Sequence, residues 1–550
     1  MAGVADLIEL CCVIIEDIYG SFLAHIFSQL ATYGRLQVAQ VAQRCRLLPR
    51  QAKIGVGALV QLRLLQHHTS SDGVSSYQVN LTNAYNILRI GSLVERARRK
   101  CGDLAAVVLE SLAARGCTTV QQLQTAVTEA APHTNGNHHG QNGDSASAKF
   151  QSAVRSLVRH DFVERVRPAH VQIPYDVHHS AEASQAPVKA GGKKGEAERT
   201  ARAQRVEADI ERRLDGFVSE DALEHAFNTA GIDKAIEGEE ELLLCPNYAY
   251  FVNIARDSAV VQDISKTLGK TPSRLMAGIL KQIPLQVDRH EPDPNPRQEL
   301  QAVAMSRLRD DLQDLGHDDI IVQTNGHHDV GSTNGVDTNG LLEDEDIEEG
   351  LEGIAEGPYP FFRHDEDTKQ WALDKYGLAT WVRDRETLRL MRSRVSNIGM
   401  RLVRMMIDKG KLDERILLDL GLVHAKEMRQ ALAQLKSMGF IELQEVPREP
   451  HRQPSRTMYL WFFDPIRARN VLLGELYKTM ARLYERLQTV ERERMKATLE
   501  KVERDDVRDR VDEVVSGKEM VELRRFQAME KWLLAEIGRL DESVALLRDI

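Results

Sequence analysis

"IGMRLVRMMIDKGKLDERILLDLGLVHAKEMRQALAQLKSMGFIELQEV", residues 398–446, decides the fold. Leu402, Met405 and Met406 fall at helical spacing, and Gly410 stops that helix. A short second helix is expected over Leu412–Leu420, ending at Gly421. A third starts near His424, with Met428, Leu432, Leu435 and Met438 on one face and Gly439 where a capping glycine belongs. Phe440–Val446 then alternates as a strand does. The next residues complete "EVPREPHRQPSRTMYLWFF" (445–463), a proline loop that returns as the aromatic run Thr457–Phe463. Helix, short helix, helix and hairpin together predict a winged helix, a helix-turn-helix carrying a β-hairpin wing.

The same order recurs upstream. Ile14–Tyr33 reads as an apolar helix ending at Gly34, and Leu36–Cys45 as a short helix. Pro49 suits a helix start, and Ala52, Val56, Leu59 and Leu62 form a stripe behind it. Leu64 then leads through "SSDG" into "SSYQVNL", a small hairpin. Gly34 and Leu64 are spaced as Gly410 and Phe440 are, which is an internal repeat of architecture with little identity. A further copy is read over Leu104–Ala114, Thr118–Thr128 and "KFQSAVRSLVRHDFVERV", interrupted by the polar stretch "APHTNGNHHGQNGDSAS". Another rests on Ser258–Leu268 and Thr271–Lys281, with Pro272 in the first turn of the second helix, and its closing strand is hard to find. After Phe463 the chain turns to helix formers, with Leu472, Leu476, Leu483, Leu487, Val490, Met495, Leu499 and Val502 as a seam. Ser516-Gly517 breaks it, and Met520, Leu523, Trp532, Ile537, Leu540 and Leu547 mark a second helix.

The expected class is therefore mainly α with small β-hairpins: tandem winged-helix domains followed by a C-terminal antiparallel coiled-coil hairpin. The expected divisions are winged helices at 1–82, 83–177 (with a disordered insert at 131–147), 205–381 (with a long disordered acidic insert at 322–357) and 382–464. A linker falls at 178–204 and the coiled-coil hairpin at 465–550.

At 550 residues the chain exceeds one core, so several domains are expected. Its net charge of -10 argues against a surface coated throughout by nucleic acid, while leaving room for local basic patches. Six cysteines form no C-x-x-C pair, which argues against a zinc ribbon or a disulfide framework and fits a reducing compartment. The apolar start carries Asp6, Glu9, Glu16 and Asp17, unlike a signal peptide. No uncharged apolar run reaches bilayer length, which fits a soluble intracellular chain without a membrane partner.

"GFIELQEVPR" (439–448) and "PSRTMYLWFF" (454–463) resemble the third-largest subunit of eukaryotic RNA polymerase III, a family related to the alpha subunit of general transcription factor IIE. "GRLQVAQVAQRCRLLPRQAKIGVGALVQLRLLQ" (34–66), "NYAYFVNIARDSAVV" (247–261) and the order of parts support the resemblance, which covers most of the chain outside the low-complexity inserts. It implies a nuclear, non-catalytic polymerase subunit, bound with two smaller partners as a heterotrimer on the clamp. That heterotrimer aids promoter opening and initiation at tRNA, 5S rRNA and other short genes. The partners it implies are the other RNA polymerase III subunits and promoter DNA.

The wing supplies the first candidate site. A hairpin tip has few core obligations, and prolines reduce the entropy lost on docking. Arg448, Arg452 and Arg456 could then meet phosphates in weak, largely sequence-independent binding, with Lys426, Arg429 and Lys436 on one side of the preceding helix. Salt bridges to protein are the competing reading. Tyr459, Trp461 and Phe463 alternate with Met458, Leu460 and Phe462; a stacking platform for single-stranded DNA competes with a strand buried on both faces, and burial is the expected outcome. Lys53 and Arg63, and Lys266, Lys270 and Arg274, are further candidates that compete with solvated helix faces. His133, His138 and His139, and His327 and His328, lack ligand-spaced partners in ordered elements, so neither a metal nor a cofactor is expected. The acidic "EDEDIEEGLEG" (343–353) reads as a charge run in a mobile tract, unsuited to acid–base chemistry. No P-loop, Rossmann, G-x-S-x-G or H-E-x-x-H motif is present, so an enzyme is the least supported class. The alternatives are a winged-helix general initiation factor, which would normally carry a zinc ribbon, or a scaffold without stable polymerase membership.

Overall fold

Gly20 sits at φ 87°, in the left-handed region where only glycine rests cheaply, and the first apolar segment breaks there. The computed structural model describes residues 2–70, 72–130, 142–186, 192–228, 241–283, 300–314, 344–365, 370–447, 457–502, 504 and 515–550. They divide into two units: residues 4–251 with 481–527, and residues 1–3 with 252–480 and 528–550. In place of the single helix expected over Ile14–Tyr33, α1 (Ala2–Tyr19) and α2 (Ser21–Tyr33) flank that glycine.

The first helix-turn-helix follows in the first unit. After Gly34 come β1 (Leu36–Gln37), α3 (Val38–Cys45), α4 (Pro49–Gln61), β2 (Leu65–Thr69) and β3 (Ser75–Val79). Leu36 was expected in the short helix; it instead starts the edge strand, opposite Tyr77, in an antiparallel sheet ordered β1-β3-β2. Of the expected stripe, Ala52, Val56 and Leu59 are buried, while Leu62, just past the end of α4, is half-buried. Gly55 lets α4 approach α2: a β-carbon there would stand 2.4 Å from Ile26 Cδ1.

The next module is less local. α5 (Leu81–Asn86), α6 (Ile90–Cys101), α7 (Asp103–Arg115), β4 (Thr118–Thr119), α8 (Val120–Ala130), α9 (Asn142–Arg159) and β5 (Val163–Val166) follow in order. Residues 131–141 lie outside the described residues, whereas 142–147, also expected to be disordered, begin α9. The strand facing β5 does not come from a neighbouring hairpin. α10 (Pro174–Ser184), α11 (Gly192–Leu214) and α12 (Glu220–Asn228) intervene, and β6 (Leu243–Pro246) then returns to give the order β4-β6-β5. Residues 243–246, expected in the third domain, thus complete the second domain's sheet. The expected linker at 178–204 is largely helical. Ala181 on α10 packs with Val206, Ile210 and Leu214 on α11, an apolar spacing hidden among the charges of "KKGEAERTARAQRVEADIERRL". The core of this module joins α6, α7, α9, β5 and β6 through Leu93, Leu109, Leu157, Phe162 and Leu244.

In the second unit, α13 (Ala249–Thr267), most of which belongs here, and α14 (Lys270–Gln282) match the expected helix pair. The missing strands are present: β7 (Leu300–Ala302), β8 (Phe362–Asp365) and β9 (Gln370–Asp374) form a sheet ordered β7-β9-β8. α15 (Met305–Asp314) and α16 (Asp344–Glu356) lie between β7 and β8 in sequence. The acidic run expected to be disordered is α16 over 344–356, because Ile347, Leu351 and Ile354 make an apolar stripe that is buried in the core. The remainder of that insert, to residue 343, lies outside the described residues. Tyr359, Phe361 and Trp381 pack with their rings steeply inclined to one another beside it, Phe361 edge to face with both others. Within the quoted "NYAYFVNIARDSAVV", Arg256 is fully buried and pairs with Asp257, whose carboxyl burial pushes up against the opposing pull of that guanidinium.

α17 (Lys375–Arg392) leads into the last module: α18 (Asn397–Lys409), α19 (Glu414–Gly421), α20 (Ala425–Ser437), β10 (Ile441–Pro447) and β11 (Thr457–Phe463). These bounds follow the periodicity and the glycines read from the sequence. The tail consists of α21 (Pro465–Glu485), a π-helical stretch over Arg486–Arg492, α22 (Glu493–Val502) and α23 (Gly517–Val544), ending in a π-helical turn over Ala545–Asp549. In the first unit, Met495 packs with Leu523 and Phe526, and Lys501 pairs with Glu519. Two residues of the expected seam face outward: Val490 is 54 % and Trp532 50 % exposed, and Leu533 takes the buried place beside Trp532.

Candidate nucleic-acid interface

The C-terminal hairpin carries its strands outward from the helices. β10 and β11 pair in register from Ile441↔Phe463 to Pro447↔Thr457. Arg448, Arg452 and Arg456 lie outside the described residues. The base of the hairpin is anchored on its other edge, where Leu412 and Trp461 exchange two backbone hydrogen bonds, of 3.0 and 2.7 Å.

The aromatic strand is not buried on both faces as expected. Met458 and Tyr459 are exposed, and Leu460 to Phe463 are half-buried. The helices cover only the end of the strand near Phe463, so the outer half of the ribbon projects beyond the core. Two lysines cover its rings instead. Lys436 Nζ lies 5.8 Å from the centroid of Trp461, and Lys411 Nζ lies 5.2 Å from that of Phe462. Lys411 also donates to Gln444 Oε1 at 2.7 Å. Cations over partly exposed rings give a surface that can take both a phosphate and a stacked base. Carboxylates temper it: Glu445 stands opposite Tyr459, and Glu442 pairs with Arg467.

The remaining candidates divide. Lys426 and Lys436 are exposed on α20, whose opposite face buries Met428, Ala431, Leu432 and Leu435. Arg429 is engaged within the module by Glu414. Lys270 is exposed at the start of α14 and Arg274 is half-buried one turn later, in the module of the β7-β9-β8 sheet. Lys53 and Lys266 are exposed on their helices, but Arg63 is not on a solvated face. It follows α4 in the left-handed conformation, φ 59°, and is buried. Its guanidinium donates to Glu164 Oε1 on β5 at 3.0 Å and touches Cys245 Sγ on β6. Burial alone would lower the guanidinium's pKa; Cys245 and Glu164 outweigh it and hold the group above its ordinary range. The adjoining seam is equally close, since Cys117 N donates to Gln61 O at 3.1 Å. No sequence signal marked Arg63 as the link between the first two sheets, because its partners lie 101 and 182 residues away.

No group of three histidine, cysteine or carboxylate side chains among the described residues is placed to hold a metal, and the two histidine clusters lie outside them. No described helix is long and apolar enough to cross a membrane.

Helix-turn-helix units closed by antiparallel strands, at 34–79 and 397–463, define a winged-helix protein. Family models agree at both ends. The RNA polymerase III subunit RPC82 helix-turn-helix domain matches residues 9–70, and the C-terminal winged-helix domain of POLR3C matches 389–463. Similarity to curated relatives runs the whole length. The DNA-directed RNA polymerase III subunit RPC-3 of Coccidioides immitis is 29 % identical, with 98 % of this chain and 99 % of the relative covered. The subunit rpc3 proteins of Aspergillus clavatus and Aspergillus niger are each 30 % identical at the same coverage. The chain belongs to the RNA polymerase III subunit RPC3 family.

Proposed function

We propose that this chain is a non-catalytic subunit of DNA-directed RNA polymerase III and works in the nucleus. The observation that carries the reading is the similarity along the full chain to subunits of that name, with a helix-turn-helix model matched at 9–70 and a winged-helix model at 389–463. On this reading the chain joins two smaller partners in a clamp-associated heterotrimer that aids promoter opening and initiation at tRNA, 5S rRNA and other short genes. Four winged-helix modules present surfaces, and the paired helices of the tail brace them as a coiled-coil hairpin.

The C-terminal wing then contacts promoter DNA weakly and without sequence preference. Arg448, Arg452 and Arg456 meet phosphates at the tip, with Lys426 and Lys436 alongside and Arg429 released from Glu414 to join them. Lys270 and Arg274 add a second contact on the preceding module. Tyr459 and Trp461 offer rings to an unpaired strand once the duplex opens. Two measurements test this. Affinity purification of the tagged chain should bring down the full set of polymerase subunits, and their absence refutes membership. Replacing the three tip arginines by glutamate should leave assembly intact, weaken promoter opening and flatten the salt dependence of DNA binding by about one log unit per lost phosphate contact. Unchanged opening by the assembled variant makes the loop purely structural.

A further inference from the structure

Residues 18–71 contain no aspartate or glutamate. The whole chain carries 82 in 550 residues, a density that would put about eight in a stretch of this length. The same stretch holds six basic residues, in a protein of net charge -10. Two have carboxylate partners from outside it: Arg35 pairs with Asp176 and Arg63 with Glu164. The other four, Arg44, Arg46, Arg50 and Lys53, are exposed and lack an ion-pair partner among the described residues. They run from the last turn of α3, through the left-handed turn at Arg46, onto the first two turns of α4. Arg44 is held down by stacking at 3.7 Å on the Tyr33 ring. Apolar groups are interleaved with these cations: Leu48 is 67 % exposed and Ile54 61 % exposed.

The corresponding helices of the C-terminal module show that this surface is not a requirement of the fold. α3 and α4 begin 376 residues before α19 and α20 and have the same lengths. At that spacing Arg50 and Lys53 correspond to Lys426 and Arg429, but Leu48 corresponds to His424 and Ile54 to Gln430. Carboxylates also accompany the later copy: Glu427 follows Lys426, and Glu414 pairs with Arg429. At these positions the later copy has polar side chains with carboxylates beside them, while the first has no acid and exposes Leu48 and Ile54.

We propose that the α3–α4 face docks an acidic amphipathic segment of a partner protein. Its carboxylates meet Arg44, Arg46, Arg50 and Lys53, and its apolar residues, at one-turn spacing, cover Leu48 and Ile54. Nucleic acid satisfies only half of this surface, because a phosphate backbone neutralises the cations and leaves both aliphatic side chains in water. The inference goes beyond the DNA-contacting wing and does not depend on it.

The test uses the full chain and three fluorescent probes. The first is a synthetic 20-residue helix with leucines along one face and glutamates beside them. The second has its leucines replaced by serine at the same charge, and the third is a 20-base-pair duplex. The leucine peptide should bind, and the serine peptide at least tenfold more weakly. Leu48→Ser with Ile54→Ser should weaken the leucine peptide tenfold or more without changing duplex affinity. Arg50→Glu with Lys53→Glu should abolish peptide binding. Both aliphatic side chains lie outside the core, so the unfolding midpoint should not move; Leu48→Gln with Ile54→Gln repeats the test if it does. Failure of the leucine peptide to bind, equal binding of the two peptides, or unchanged peptide affinity in the aliphatic variants overturns the proposal. Duplex binding that needs Arg50 and Lys53, with the peptide indifferent to Leu48 and Ile54, assigns the face to nucleic acid instead.

Discussion

Arg63→Met is expected to destabilise the first unit by about 3–5 kcal/mol, the cost of removing one partner from a buried ion pair. The structure selects that range over the ~0–1 kcal/mol of an exposed pair, since the two side chains are 9 % and 14 % exposed. Methionine fills much of the volume but takes the guanidinium away from Glu164, which also accepts from Cys245 Sγ at 3.4 Å. Two further variants separate the ion pair from the backbone. Arg63 occupies a left-handed position at φ 59°, which costs a non-glycine residue roughly 1 kcal/mol or more. Arg63→Gly should therefore fall short of Arg63→Met by about that amount. Arg63→Met combined with Glu164→Leu should recover most of the loss, because the carboxylate that lost its guanidinium is removed with it. Urea unfolding of the full chain gives the energies. Hydrogen exchange at residues 61–64 and 163–166 shows whether the loss falls on the seam between the first two sheets. A single-variant loss below about 1 kcal/mol, or a double variant no better than Arg63→Met, would refute the reasoning and return Arg63 to the status of a surface charge.

Gly116→Ala should open the same seam, since glycine stands at φ +80° and a β-carbon would come within 2.5 Å of the Gln61 carbonyl and the Leu62 Cα. Its loss on urea unfolding should exceed the ~1 kcal/mol of a left-handed alanine in open space. Ser516→Ala should loosen the start of α23 by about 1 kcal/mol, because Ser516 and Glu519 form a reciprocal cap in which each side chain accepts from the other's backbone N–H. Lys501 and Ser516 hold the Glu519 carboxyl down at about 2, so a carbon-13 titration should find its midpoint there and not near 4. With the folded value depressed, this contribution is present above the unfolded value and is lost only as pH falls toward 2. A poly-dT oligonucleotide should quench tryptophan emission by stacking on the C-terminal wing, and Trp461→Phe should remove the change; equal quenching in the variant would place the contact elsewhere.

The sequence made local structure legible and distant pairing obscure. α4, α18, α19 and α20 fall close to their expected bounds because each is defined by its own apolar stripe and a following turn. At all four of these turns the backbone is left-handed, at Arg63, Gly410, Leu422 and Gly439. The β5–β6 pairing was hidden because three helices and residues 229–240 separate the strands, and nothing in "ELLLCPNYAY" names its partner. α16 was hidden for a different reason: its carboxylates dominate the composition while three aliphatic residues at helical spacing do the packing. The candidate site divided the same way. Lys426 and Lys436 were found as charges on a polar helix face, whereas Lys411 became visible only when the hairpin brought Phe462 beneath it. The buried-strand expectation for Thr457–Phe463 counted apolar residues without asking how far the ribbon extends past its supporting helices.

The repeated module shows why residue identity is a weak guide to architecture here and a good guide to use. Beside the glycine pair Gly34 and Gly410, two further left-handed turns recur at the same spacing, Arg46 with Leu422 and Arg63 with Gly439. The backbone requires the conformation in all four places, and glycine, which meets it without strain, stands in only one. A non-glycine residue that accepts the strain must gain something through its side chain. For Arg63 the gain is visible in the fold, as an ion pair that joins two sheets. Among the described residues Arg46 and Leu422 make no such ion pair: Arg46 stands among exposed cations, and Leu422 is 87 % exposed. One helix-turn-helix geometry thus presents a cationic turn in the first module and an apolar turn in the last.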